Sequence, residues 1–162
     1  MTASIGQVSQ RTFTRSQNPA SASSIELSTI SYTRWCRRGS RVEPKYIAGR
    51  FELEPDEALI IELAPGECRY WNLQTANELS NTLDFYNRIV CTNGHQAEAD
   101  DDGAFRVVVS EQDPRVWNWM DTMGHRKGFL WGRMDRTNDY EPKTTKVKLS
   151  ELSDHLPSET RK

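Results

Sequence analysis

Apolar and polar residues alternate in several short segments of the chain, and this alternation predicts β-strands. Phe105, Val107 and Val109 occupy every second position of one such segment, as expected of a strand with one buried face. Residues 58–63 are almost continuously apolar, which predicts a strand in the middle of a sheet. Strands are predicted at residues 46–53, 58–63, 69–75, 104–110, 128–133 and 145–149, with a further short strand at 88–91.

The spacing of apolar residues changes between residues 76 and 85. Leu79 and Leu83 are four positions apart with polar residues around them, which predicts a short amphipathic helix. Asp102-Gly103 predicts a hairpin turn, because glycine adopts positive φ without steric cost. Short strands separated by turn residues favour an all-β, mainly antiparallel sandwich with one short helix.

Charge divides the chain near residue 45. Residues 1–50 hold eight Lys and Arg against two Asp and Glu, whereas residues 51–162 hold thirteen against twenty-one. We therefore expect a basic, Ser- and Thr-rich, poorly ordered arm at 1–45, a β-sandwich domain at 46–152 and a polar tail at 153–162. The few arginines of the arm accompany no nucleic-acid motif, so nucleic acid is not the expected partner.

The cysteines and the lack of long apolar runs indicate a compartment. Cys36, Cys68 and Cys91 are widely spaced and odd in number, which argues against a disulfide framework and favours the reducing cytoplasm. No run of about 18 apolar residues occurs, so no membrane partner is expected.

A resemblance to a known family appears between residues 107 and 128. The residues that carry it are Val107-Val108-Val109-Ser110, Asp113-Pro114, Asn118-Trp119-Met120-Asp121-Thr122, Gly124 and Gly128. Further segments fit in the same order: Gly49-Arg50-Phe51, Asp56-Glu57-Ala58-Leu59, Cys68-Arg69-Tyr70-Trp71-Asn72, Leu83-Asp84, Thr145-Lys146-Val147 and Leu149. Over residues 46–152 the chain resembles the C-terminal domain of the bacterial family named domain of unknown function 1214.

The resemblance implies a jelly-roll-like β-sandwich, and it supplies no established catalytic residues. One position departs from the family pattern. Arg115 follows Asp113-Pro114 where the resemblance implies glycine. If that glycine has positive φ in the family, Arg115 must adopt the same backbone conformation or the corner must differ.

Asp121 and His125 are the candidates for a catalytic site at the corner formed by residues 113–125. They are four residues apart and could face each other on a helical turn as a carboxylate–imidazole pair. No nucleophile motif accompanies them. The alternative is that Asp121 is structural and accepts backbone N–H bonds within the 113–128 loop, as Asp does in turns.

The same corner holds the candidates for ligand binding: Trp117, Asn118, Asp113 and Arg115. Trp117, Trp119 and Trp131 could form an aromatic platform for a sugar or another flat ligand. The alternative is that Trp119 and Trp131 fill the core while Trp117 stays exposed, and that Asp113 and Asn118 bond only to the backbone.

No metal site or cofactor is expected. His95, His125 and His155 are thirty residues apart, with no Cys or His at ligand spacing. The segment around Asp100, Asp102 and Gly103 resembles a calcium loop but lacks its closing glutamate, since Val109 occupies that position. No phosphate-binding glycine motif is present.

The sequence thus predicts a non-catalytic binding or interaction module that contacts a small molecule or a protein, with a homo-oligomer as one form of that contact. The alternative is a hydrolase-like enzyme or enzyme subunit, with its site at the Asp113–His125 corner and a carbohydrate or other small molecule as substrate.

Overall fold

A computed structural model describes residues 28–31, 44–135 and 142–162, with only the backbone described at 28–31. The strands are β1 (Ser28–Ser31), β2 (Lys45–Glu52), β3 (Glu57–Leu63), β4 (Tyr70–Asn77), β5 (Cys91–Asn93), β6 (Phe105–Ser110), β7 (Trp119–Asp121), β8 (Lys127–Asp135) and β9 (Lys143–Lys148). Three short helical segments follow: the 3-10 helix η1 (Leu149–Glu151), the α-helix α1 (Leu152–His155) and the 3-10 helix η2 (Ser158–Thr160).

The strands form two facing sheets, so the predicted all-β sandwich is confirmed. One sheet has the order β1-β2-β8-β4-β5 and the other has the order β7-β6-β3-β9. All strand pairs are antiparallel except β6–β7, which is parallel. Successive strands cross between the sheets, from β2 to β3 to β4 and from β8 to β9, and this makes the sandwich jelly-roll-like.

The main core lies between the sheets, where the inward positions of each strand meet. Its buried residues are Ile47, Phe51, Leu53, Leu59, Ile61, Leu63, Trp71, Leu73, Val107, Val109, Met120, Leu130 and Met134. The period-2 pattern placed these side chains on one face of their strands. Trp71, at 3% exposure, is the tryptophan that fills this core.

A second apolar cluster covers the outer face of the four-stranded sheet. It contains Ala58, Ile60, Val108, Val116, Val147, Leu152 and Leu156. Strand β3 is therefore buried on both faces, which explains why residues 58–63 lack alternation. The predicted central position of this strand is confirmed, because β3 lies between β6 and β9.

The segment from residue 153 packs on the domain, although the sequence predicted a polar tail. Leu156 belongs to the second cluster and Thr160 is 1% exposed. The Thr160 hydroxyl donates to Asp100 Oδ1 at 2.7 Å, and Trp117 N donates to Thr160 O at 3.0 Å. These buried side chains and hydrogen bonds attach the segment to the domain.

The predicted N-terminal arm lies mostly outside the described residues. Its described part at 28–31 is strand β1, which pairs with β2 from Ser28 opposite Ala48 to Ser31 opposite Lys45. Cys36 is also outside the described residues.

Asp102-Gly103 forms a tight turn but not a hairpin between two paired strands. Gly103 has φ +77°, and its N–H donates to Asp100 O at 2.8 Å. The strand after the turn, β6, pairs with β3 and β7, whereas the preceding β5 belongs to the other sheet. Local turn chemistry was predictable, but the partner of β6 depends on the whole fold.

Candidate functional site

Asp121 is buried at the end of β7, and its polar atoms join three segments. Its Oδ1 accepts the N–H of Met123 at 2.7 Å, and its Oδ2 accepts Arg88 Nη1 at 3.1 Å. Its own N–H donates to Ile89 O at 2.7 Å, and its carbonyl oxygen accepts the Thr75 hydroxyl at 3.3 Å. The Met123 contact is the kind of backbone bond that the structural interpretation predicted. The Arg88 and Ile89 contacts attach the segment before β5 to the end of β7, and the Thr75 contact attaches β4.

That segment, residues 78–90, connects β4 to β5, and we call it the apolar loop. Four of its large apolar side chains are strongly exposed: Leu79 at 80%, Phe85 at 59%, Tyr86 at 87% and Ile89 at 52%. The Phe85 and Tyr86 rings lie together, with centroids 5.3 Å apart. Single exposed apolar residues are ordinary, whereas four within one loop, two of them with their rings together, make that loop a candidate interaction surface.

The start of the apolar loop is a capped turn, so the helix predicted over residues 76–85 is wrong. The Asn77 side-chain oxygen accepts the N–H groups of Leu79 at 3.0 Å and Asn81 at 2.9 Å. Ser80 has φ +63°, which a right-handed helix does not allow. Asn bonds to its own backbone in this way in turns, and here this outweighs the spacing of Leu79 and Leu83. The one α-helix among the described residues is at Leu152–His155.

Asp84 stabilises the middle of the apolar loop. Its Oδ1 accepts the N–H groups of Tyr86 at 3.1 Å and Asn87 at 3.2 Å, and its Oδ2 accepts Asn87 Nδ2 at 2.7 Å. The Asn87 side-chain hydrogen bond is the main reason that the pKa of Asp84 is lowered. These bonds hold Phe85 and Tyr86 outward on a fixed backbone.

The apolar loop is also fixed to the body of the domain at both ends. Leu83 and Val90 are buried, at 7% and 1% exposure. Trp131 donates through Nε1 to the Ser80 hydroxyl at 3.1 Å, and Thr75 N donates to Val90 O at 2.9 Å. The exposed side chains therefore project from a well-bonded loop.

His125 lies on the surface in a turn, not on a helix with Asp121. Met123 and Gly124 have φ of +54° and +77°, and His125 N donates to Thr122 O at 3.0 Å. Among the described contacts, no hydrogen bond joins the His125 ring to Asp121, whose two carboxylate oxygens bond to Met123 and Arg88.

The four predicted ligand-binding residues separate into a buried one and three exposed ones. Asn118 is 5% exposed. Its Oδ1 accepts the N–H of Glu98 at 2.8 Å, and its Nδ2 donates to Glu98 O at 2.7 Å. Trp117 is 53% exposed. Asp113 and Arg115 are exposed beside it in sequence, and Asp113 Oδ1 accepts Arg115 N at 2.8 Å.

Arg115 has φ +61°, the left-handed conformation that glycine adopts most easily. The position where the resemblance implied glycine thus has the backbone conformation that favours glycine. A non-glycine residue there costs roughly 1–2 kcal/mol. The Asp113 carboxylate compensates by accepting the N–H of Arg115, the bond that Asp makes in turns to the backbone two residues on.

Trp119 and Trp131 are both half-buried, and neither fills the core between the sheets. Trp119 packs against the second apolar cluster and donates through Nε1 to the Ser110 hydroxyl at 3.1 Å. The Trp131 ring stacks on Phe129, with centroids 5.8 Å apart. Among the described residues, no ring contact joins Trp117, Trp119 and Trp131 into one platform.

Within residues 28–31, 44–135 and 142–162, no three His, Cys, Asp or Glu side chains lie close enough together to hold a metal ion. The helices in that part of the chain are all too short or too polar to span a membrane.

Sequence reasoning missed the apolar loop because its anchors are distant in sequence. Arg88 and Asp121 are separated by the whole of β5 and β6. One local signal was available: Leu79, Phe85, Tyr86 and Ile89 follow no single period and alternate with turn residues such as Asn77 and Asp84. A segment without a strand or helix period, rich in polar turn residues, indicates a loop.

Solved structures of two longer proteins are among those similar to this chain. An uncharacterised protein from Burkholderia cenocepacia is 34% identical, with a TM-score of 0.64 over 67% of this chain and 31% of that one. The VPA0106 protein from Vibrio parahaemolyticus is 16% identical, with a TM-score of 0.56 over 72% of this chain and 33% of that one. The second likeness concerns the fold alone.

Neither a protein-family model nor a curated protein matches the chain. The chain spans about a third of the length of each of the two solved proteins. It is thus a jelly-roll-like β-sandwich with structural relatives in longer bacterial proteins.

Proposed function

We propose that this chain is an interaction module that binds a protein partner through the apolar loop. We further propose that it belongs to the family named domain of unknown function 1214, which its residues 46–152 resemble. The observation that carries the function is the exposure of Leu79, Phe85, Tyr86 and Ile89 on a loop whose backbone is held by Asn77 and Asp84.

The size of the exposed group suits the centre of a protein interface. Two aromatic and two aliphatic side chains at these exposures present on the order of 500 Å² of mostly apolar surface. A standard interface buries about 800 Å² per partner, with a few aromatic side chains supplying most of the affinity. The apolar loop would form the core of such an interface, and neighbouring polar residues would form its rim.

The fixed backbone of the apolar loop is a second argument for binding. Ordering a flexible loop on association lowers affinity, so a loop that is already bonded avoids that cost. Asp84, Asn77 and Asp121 supply these bonds. The use of Asp121 as an anchor also favours an interaction module over a hydrolase-like site, because its carboxylate is engaged by Met123 and Arg88.

A reducing compartment such as the cytoplasm fits the thiol chemistry, and we include it in the proposal. Cys68 Sγ lies 3.0 Å from Tyr70 O and 3.2 Å from Asp135 O, so a reduced thiol at this position has carbonyl acceptors. Cys91 is a free, exposed thiol.

The partner can be found by crosslinking from the apolar loop. A chain with a photoreactive phenylalanine in place of Tyr86, expressed in the source organism, should crosslink to one protein. A chain with the photoreactive residue in place of the exposed Glu111 should not crosslink to that protein. The purified partner should then bind the double variant Phe85→Ser/Tyr86→Ser at least about 30-fold more weakly than the wild type, because exposed aromatic anchors contribute about 2 kcal/mol or more.

Tyr70→Ser is the matched control, since Tyr70 is an exposed aromatic outside the apolar loop. It should leave the affinity unchanged. If the partner is a second copy, sedimentation velocity should show a concentration-dependent dimer that the double variant lacks. Equal binding of the partner by the wild type and the double variant would refute the proposed function.

A further inference from the structure

A pocket of about 360 Å³ lies beside Trp117, at the place where the C-terminal segment meets the domain. We call it the Trp117 pocket. It is lined by Glu98, Ala99, Asp100, Trp117 and Glu159. Three of the five lining residues are acidic and one is a large exposed aromatic, so the pocket combines negative charge with a π-face.

Two of these carboxylates are available to a ligand. Asp100 is buried and already engaged, since it accepts Arg106 Nη1 at 2.6 Å and the Thr160 hydroxyl at 2.7 Å. Glu98 and Glu159 are exposed, and neither pairs with a basic side chain among the described residues. The edge of the pocket therefore has two carboxylates that form no ion pair with the described residues.

The chain itself places a cation on the aromatic wall. Lys162 Nζ lies 5.8 Å from the centroid of the Trp117 ring, within the range of a cation–π interaction. The Lys162 N–H donates to Arg115 O at 2.9 Å, which holds the lysine near the ring. The contact is an observation independent of the acidic residues, and it shows that the Trp117 ring is accessible to an ammonium group.

We propose that the Trp117 pocket binds an organic ammonium group, through the face of Trp117 and the carboxylates of Glu98 and Glu159. Trp is the best aromatic partner for such a cation, and carboxylates beside the ring add charge attraction. The ammonium could belong to a free quaternary amine or to a lysine side chain of a protein. The Lys162 ammonium competes for the same ring. This site goes beyond the proposed function and does not involve the apolar loop.

Titration followed by two-dimensional amide NMR tests the proposal on the full chain. The indole N–H signal of Trp117 is identified as the one missing from Trp117→Phe. At matched ionic strength, choline should shift this signal, whereas 3,3-dimethylbutan-1-ol, its uncharged isostere, should not. Two outcomes would overturn the proposal. In one, choline and its uncharged isostere shift the signal equally. In the other, neither choline nor Nα-acetyl-lysine methylamide shifts it.

Three variants localise the binding. Glu98→Gln/Glu159→Gln should weaken choline binding about fivefold, because loss of attraction at exposed positions is worth about 1 kcal/mol. Lys162→Met should strengthen it by removing the internal competitor, about twofold or more. Glu151→Gln removes an exposed carboxylate outside the pocket and should change nothing. A Glu98→Gln/Glu159→Gln variant that binds like the wild type would contradict the assigned role of the carboxylates.

The two sources of the ammonium are separated by comparing probes. Tighter binding of choline than of Nα-acetyl-lysine methylamide indicates a free quaternary amine, and the reverse indicates a lysine side chain. Either result supports an ammonium site.

Discussion

Asp121 is the residue on which the position of the apolar loop depends. Its side chain is buried and accepts one backbone N–H and one guanidinium N–H, and its backbone bonds to Ile89 and Thr75. Both oxygens of the buried carboxylate thus have hydrogen-bond donors from the protein in place of water. The corner that looked like a candidate catalytic pair is, in this geometry, the support of a loop.

Replacing Asp121 by Ala should therefore destabilise the fold by roughly 1–3 kcal/mol, because the Met123 N–H loses its acceptor and Arg88 loses its partner. His125→Ala should cost much less, since that side chain is exposed. Urea unfolding measures both values, and hydrogen exchange of residues 78–90 should accelerate only in the Asp121 variant. If both variants keep the stability of the wild type but abolish turnover of a substrate, the catalytic alternative is correct.

At the scale of elements, strands were predictable and loops were not. β2, β3, β4, β6, β8 and β9 agree with the predicted strands to within a few residues, because each has a buried face or a buried run. The predicted strand at 88–91 is displaced to Cys91–Asn93, and Ile89 is exposed. β7 was not predicted, because three residues are too few for a period and its parallel pairing with β6 is non-local.

The candidate site was predictable only in part, because its contacts are also non-local. Trp117 was correctly expected to be exposed, and Asp121 was correctly expected to accept a backbone N–H. The partners that define each site come from distant segments: Arg88 for Asp121, and Glu98 and Glu159 for Trp117. Sequence spacing carries no information about such contacts until the sheets are assembled.

Strand β8 is central in its sheet, and close approach of its neighbours requires glycine at position 128. A Cβ there would collide with the carbonyl oxygen of Ala76 and lie 2.7 Å from Phe51 Cζ. Gly128→Ala should destabilise the fold by about 1–3 kcal/mol, as overpacking does in cores. Urea unfolding is the measurement. Gly66→Asn is the control, because Gly66 has positive φ but open space around it. The Gly66→Asn variant should lose much less stability than the Gly128→Ala variant, since Asn tolerates positive φ. Equal costs would show that packing at β8 is not the cause.

At the scale of the whole molecule, hydrogen-bonded surface carboxylates make the free energy of unfolding depend on pH in the acid range. The pKa of Asp102 falls from its usual 3.8 to about 2, mainly because the Arg106 side chain donates to it. Hydrogen bonds from Lys127, Lys148 and Asn87 likewise lower the pKa of Glu52, Asp56 and Asp84. A carboxylate with a lowered folded pKa stabilises the fold above its unfolded pKa, and this contribution is lost as the pH falls through the folded value.

The urea midpoint should therefore fall as the pH decreases from about 4 to about 2, and Asp102→Asn should reduce this fall. Asp101→Asn is the control, since it removes an adjacent exposed carboxylate for which no hydrogen bond is found among the described residues. If both variants respond to acid like the wild type, the Arg106–Asp102 contact does not contribute to the pH dependence.

The pairing of early strands with late strands has a consequence for synthesis on the ribosome. Phe51 of β2 lies opposite Gly128 of β8, and β3 is completed only by β6 and β9. At ribosomal rates of about 5–20 residues per second, β6, β8 and β9 are synthesised seconds after β2 and β3. The apolar residues 58–63 are unpaired throughout that interval. This segment is therefore where a nascent chain of this protein most needs a chaperone.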